Sequence, residues 1–176
     1  MTTTAHRSTL ADLEQHPGRC ELIDGEIVAM APTGLEHGRS SRLLVVALAQ
    51  WAAGLPYEVL VGDTGFIWSE DTVRAPDVAV ITADQAAAAP VRGFLPFLPL
   101  VAVEVVSPSD AWSDVQDKAA GWLEHGTAMV WLVDPRRRRV EVWGANGQVQ
   151  RLDASGTIEG GAILPGFRVA VAALFG

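Results

Sequence analysis

The run Leu100-Val101-Ala102-Val103-Glu104-Val105-Val106-Ser107-Pro108-Ser109-Asp110 decides the fold, because it sets one carboxylate inside an apolar segment. Its first seven residues, mostly β-branched and bounded by Pro99 and Pro108, predict a central strand buried on both faces. An ionised carboxylate in such a strand is costly unless it is paired, protonated or bound to a metal. Period-two geometry gives Glu104 the same face as Leu100, Ala102 and Val106, so that face opens onto something polar at Glu104.

Working outward, Arg74-Ala75-Pro76-Asp77 leads into Val78 to Ile81, a second buried-strand run with a carboxylate at its entry. Between the two runs, 83–99 predicts a short helix followed by a mobile loop, a connection that suits neighbouring strands of one sheet. On the other side, Ser109 to Ser113 offers cap residues for a helix over 114–124 closed at Gly126, with a stripe of Val115, Ala119, Trp122 and Leu123. Lys118 falls at the edge of that stripe, where a lysine is ordinarily solvated but here has carboxylates to reach. Asp77 and Glu104 together make a hard-oxygen site suited to Mg²⁺ or Mn²⁺. A lysine beside them would stabilise charge developing on phosphate or hold the attacking water.

The N-terminal third predicts a short helix over 8–16 capped by Ser8 or Thr9, then a hairpin over 20–30 turning at Asp24-Gly25. Glu21, on this pattern alone, is an exposed strand residue. The longest helix, over 36–53, has a stripe of His37, Ser41, Leu44, Leu48 and Trp51. His37 stands at its N-terminal end, either as a cap-region histidine or as a functional one. Strands are predicted at 57–61 and 65–68. Later hairpins join 129–133 to 140–143 and continue to 148–152, with a last strand or coil and a short helix in the tail. Arg136-Arg137-Arg138-Arg139 sits at one of these turns, ordinarily a solvated tip, and is the one concentrated positive charge available to a phosphate backbone.

At 176 residues and 49% hydrophobic composition the chain is expected to be one domain over 1–176. Its one cysteine, Cys20, fits a reducing compartment. Met1 to His16 has no apolar core of signal-peptide length, and no apolar run reaches membrane-spanning length, so a cytoplasmic protein without a membrane partner is expected. A formal charge of −8 argues against a broad nucleic-acid-binding surface. Thiolate metal pairs, a phosphate-binding glycine loop and a serine nucleophile elbow have no matching motif.

Pro76-Asp77, Glu104 to Asp110 and Lys118 together resemble the Uma-two family of the PD-(D/E)xK nuclease superfamily. The likeness is nearly full length and includes Glu21 to Glu26, His37-Gly38, Asp63-Thr64-Gly65, Val130 to Pro135 and Leu164 to Phe167. The resemblance implies an α/β restriction-endonuclease-like core, a mixed central sheet flanked by helices, with N-terminal and C-terminal β-hairpins. It implies divalent-metal hydrolysis of DNA, with Asp77 and Glu104 binding the ion and the Val105 carbonyl completing the coordination. The superfamily's usual lysine position, two residues after the second acid, is Val106 here, and the family's pattern supplies the lysine from the following helix at Lys118. Glu21 corresponds to an acidic position ahead of the core motif, and His37 is a further candidate. Three alternatives stay open: a non-catalytic binding or assembly module, for instance a homodimer, which the acidic charge favours; a metal-dependent hydrolase of small phosphoesters; and, more distantly, a paired-carboxylate glycosidase.

Overall fold

The computed structural model describes residues 7–176, so the first six residues of the segment read above for an export signal lie outside it. Its centre is a six-stranded sheet in the order β10-β9-β8-β7-β6-β3. These strands are Tyr57–Val61 (β3), Val78–Thr82 (β6), Val101–Val105 (β7), Met129–Asp134 (β8), Arg139–Gly144 (β9) and Val149–Leu152 (β10). β7 and β8 run parallel and the other neighbours antiparallel, which makes the sheet mixed. The parallel pair needs a crossover, and the helix Trp112–Glu124 (α4) supplies it. Gly126, at φ 114°, ends that helix, and the N–H groups of His125, Gly126 and Thr127 close back on its last carbonyls.

All five residues of β7 are buried, as a doubly covered strand requires. One face carries Val78, Val80, Val101 and Val103 onto the helix Leu35–Ala52 (α2) and onto the C-terminal residues Leu164, Phe167 and Leu174. The other carries Ala79, Ala102, Val130 and Leu132 onto α4, Phe66 and Leu95. The buried stripe of α2 is His37, Ser40, Leu44, Leu48 and Ala52, so Ser40 rather than Ser41 faces the sheet. A Cβ at Gly121 of α4 would meet the Trp68 ring at 2.5 Å, so glycine there lets Trp68 pack edge-on against Trp122 and stack on His125.

A second, four-stranded sheet, β2-β1-β5-β4, holds Cys20–Ile23 (β1), Glu26–Ala29 (β2), Phe66–Ser69 (β4) and Thr72–Arg74 (β5). The β1–β2 turn has positive φ at both Asp24 and Gly25, the geometry that an Asp-Gly hairpin favours. The first helix, Leu10–Gln15 (α1), opens on a Thr9–Asp12 capping box and buries Leu13 beside Leu22 and Val73. A short helix, Ala83–Ala88 (α3), follows β6. The stretch after it is pinned rather than loose, because Leu95 is buried and exchanges backbone hydrogen bonds with Gly65 and Ile67. Two strands missing from the sequence reading are β5 and Thr157–Glu159 (β11), which pairs with Arg168–Ala170 (β12) before a closing 3₁₀ turn, Val171–Leu174. Among the described residues no helix is long and apolar enough to cross a membrane.

Candidate active site

The antiparallel register of β6 and β7 pairs Val78 with Val103, and Asp77, just before β6, is bonded to the backbone of Val103 and Val105, on either side of Glu104. Asp77 is held there by its backbone N–H on the Val103 carbonyl (3.0 Å). Its Oδ2 accepts the Val105 N–H at 2.7 Å, and its Oδ1 lies 3.1 Å from His37 Nε2. The first-turn histidine of α2 therefore reaches the site, and the Ser41 hydroxyl one turn on donates to its backbone carbonyl at 2.9 Å.

Glu104 points from β7 toward α4. Trp122 Nε1 donates to its Oε1 at 2.8 Å, and Lys118 Nζ lies 3.0 Å from each of its oxygens. The four-residue step from Lys118 to Trp122 places both donors on one helix face. Lys118 also donates to the Ala75 carbonyl at 3.0 Å and meets Glu21 Oε1 at 3.0 Å, with only 11% of its side chain exposed. The solvated-lysine account is thus replaced by a buried, fully engaged ammonium.

Glu21 is likewise no exposed strand residue. It is 3% exposed, takes the Ala75 N–H at 2.8 Å, and lies 3.1 Å from Arg74 Nε. Arg74 in turn lies over the Trp68 ring, 5.4 Å from its centroid. Sequence reasoning missed Arg74, whose three-residue strand carries no periodic signal, and read Trp122 as core when it is also a donor.

Burial pushes the Glu104 carboxyl up to about 7; the Lys118 charge opposes this, while Asp77 and Glu21 add to it. Burial disfavours the charge on Lys118, yet Glu104 and Glu21 outweigh that cost and hold its pKa above the ordinary lysine value. One cavity of about 400 Å³ is lined by Glu21, His37, Asp77, Glu104, Val105 and Lys118 among others, so every core candidate meets in one place. The Arg136–Arg139 turn does not line it. There Arg137 and Arg139 pair with Asp134, while Arg138 and Arg139 lie over the rings of Phe175 and Trp112.

Among the described residues no three His, Cys, Asp or Glu side chains form a group able to hold a metal by themselves. The donor set still suits a hard cation that keeps water and takes one or two carboxylates. An ionised carboxylate has about four acceptor positions. Glu104 has three N···O contacts and Asp77 has one on each oxygen, so both retain acceptor capacity, and both line the cavity.

Three comparisons bear on this arrangement. A family model described as "Uma2: Putative restriction endonuclease" matches residues 7–172. A crystal structure titled as a "putative nuclease belonging to DUF820" from Anabaena variabilis superposes with a TM-score of 0.81. It shares 19% identity over 95% of this chain and 97% of that one, a likeness of fold. No curated protein matches.

Proposed function

The chain belongs to the Uma2 family, and on that premise we propose that it is a divalent-metal-dependent endonuclease hydrolysing DNA phosphodiester bonds in the Asp77–Glu104–Lys118 cavity. The observation that carries the proposal is the convergence of Asp77 and Glu104 on the wall of one cavity, with Lys118 beside them.

In this reading Asp77 and Glu104 hold Mg²⁺ or Mn²⁺, with the Val105 carbonyl beside them. Such an ion supplies Lewis-acid polarisation of the phosphate and a more acidic bound water. Lys118, its donors engaged by Glu104, Glu21 and the Ala75 carbonyl, contributes a fixed positive charge at the cavity wall, which is worth more in the transition state than in the ground state. Glu21 and the Ala75 carbonyl keep that ammonium aimed, and Glu21 is a positioning residue rather than a metal ligand, since Ala75, Arg74 and Lys118 already surround its carboxylate. His37 orients Asp77 through Oδ1.

The test is cleavage of plasmid and linear DNA with Mg²⁺ or Mn²⁺ by the wild type and by Asp77→Ala, with circular dichroism establishing that both are folded. Metal-dependent cleavage lost in the variant supports the proposal. Equal cleavage by folded Asp77→Ala overturns it.

A further inference from the structure

The catalytic cavity is the middle of something longer. On the α2 side it shares Arg19, Thr33, His37 and Asp77 with a second cavity of about 510 Å³ that reaches Arg42. On the other side it shares Ser107 and Asp110 with a third, of about 310 Å³, that reaches Arg136. Shared walls set the three cavities side by side, the central one, lined by the acids and Lys118, between one that reaches Arg42 and one that reaches Arg136; we treat the row as a trough.

Most charges along this trough are already answered. Arg19 pairs with Asp63, Asp134 with Arg137 and Arg139, and Asp110 accepts the Ser107 N–H. Asp114, on the rim of the central cavity, takes only the Ser113 hydroxyl and opposes an anion. Arg42 and Arg136 are exposed and have no ion pair or hydrogen bond with any described residue. Isolated surface arginines are commonplace, but these two line different cavities that each adjoin the one carrying the proposed hydrolytic groups. A guanidinium is the side chain best shaped to grip a phosphate through two hydrogen bonds.

We infer that a DNA strand lies along this trough, with Arg42 and Arg136 binding backbone phosphates on either side of the one cleaved. The inference rests on the nuclease reading and deepens it, since a small phosphoester would fill only the central cavity. It also accounts for how a chain of charge −8 handles a polyanion: the general field is unfavourable, and two local cations fix position and register.

The experiment is fluorescence anisotropy of a labelled single-stranded oligodeoxynucleotide at several salt concentrations, with Mn²⁺. The proteins are wild type, Arg42→Ala/Arg136→Ala, the matching double lysine variant and Arg168→Ala, whose side chain pairs with Glu159 away from the trough. Losing two phosphate contacts should weaken binding at least tenfold and lower the slope of log K against log salt by about 1.4. The lysine pair should recover most of the slope, and Arg168→Ala should match wild type. A double alanine variant with wild-type affinity and slope overturns the inference, as does a wild type that binds no DNA. Failure of the nuclease reading looks different: DNA bound with the predicted salt dependence and never cleaved with Mg²⁺ or Mn²⁺.

Discussion

Glu104 and Glu141 lie in one row of the central sheet, on either side of Leu132, and both are buried. Each accepts an indole N–H, from Trp122 at 2.8 Å and from Trp143 at 3.0 Å, and each meets one cation, Lys118 or Arg151. The resemblance ends there. Arg151 has 68% of its side chain exposed, whereas Lys118 has 11%. Among the described residues no second carboxylate pairs with Arg151, while Asp77 and Glu21 both act on Glu104. A buried carboxylate with good donors is therefore an ordinary structural ion pair. What marks a site is an excess of acids over bases at the wall of a cavity, and only Glu104 has that.

The largest expected effect separates the two on activity. Asp77→Ala and Glu104→Ala should each lower metal-dependent DNA cleavage by more than about a hundredfold, beyond the loss typical of an outer-shell residue, while Glu141→Gln cleaves as wild type does. Next, Glu21→Gln should cost about 10- to 100-fold through a misplaced Lys118, with kcat falling and KM kept in steady-state kinetics.

A third difference appears in stability against pH. The folded-state pKa of Glu104 is raised from 4.5 to about 7, so the native protein holds a proton there that the unfolded chain has released. Its stabilising contribution is complete below about 4.5 and is lost as pH rises through about 7. Urea midpoints should fall across that window in the metal-free wild type and in Glu141→Gln, and flatten in Glu104→Gln. The smallest effect belongs to the structural pair: Trp143→Phe should lose about 1.5–3 kcal/mol of stability, one hydrogen bond to a charged group, in the same urea titration.

The same pair explains how much the sequence can tell. Val103-Glu104-Val105 and Val140-Glu141-Val142 are the same local pattern, and nothing within either triplet distinguishes a site from a structural carboxylate. The distinction comes from Asp77 and Glu21, which arrive from other strands. Asp77 was legible because Pro76 and a buried run fix its direction. The burial of Glu21 was not, because its partners, Arg74 and Lys118, come from a three-residue strand and a distant helix. Lys118 read as a stripe-edge residue and does turn inward. The helices and hairpins followed from apolar runs, the Asp24-Gly25 turn and Gly126, the mixed sheet was what the family resemblance implied, and the fold shared with the Anabaena structure agrees. The segment 83–99 misled because its alanines and prolines say nothing of the two backbone hydrogen bonds that pin Leu95.

The most direct test of the excess-acid site is calorimetric titration of Mn²⁺, with Mg²⁺ as a second ion, into wild type, Asp77→Ala, Glu104→Ala and Glu141→Gln, all shown to be folded. The account predicts binding by wild type and by Glu141→Gln that disappears in both cavity variants and strengthens as pH rises through about 7, where Glu104 releases its proton. No binding to folded wild type, even with DNA present, would contradict it and make Glu104 a second Glu141.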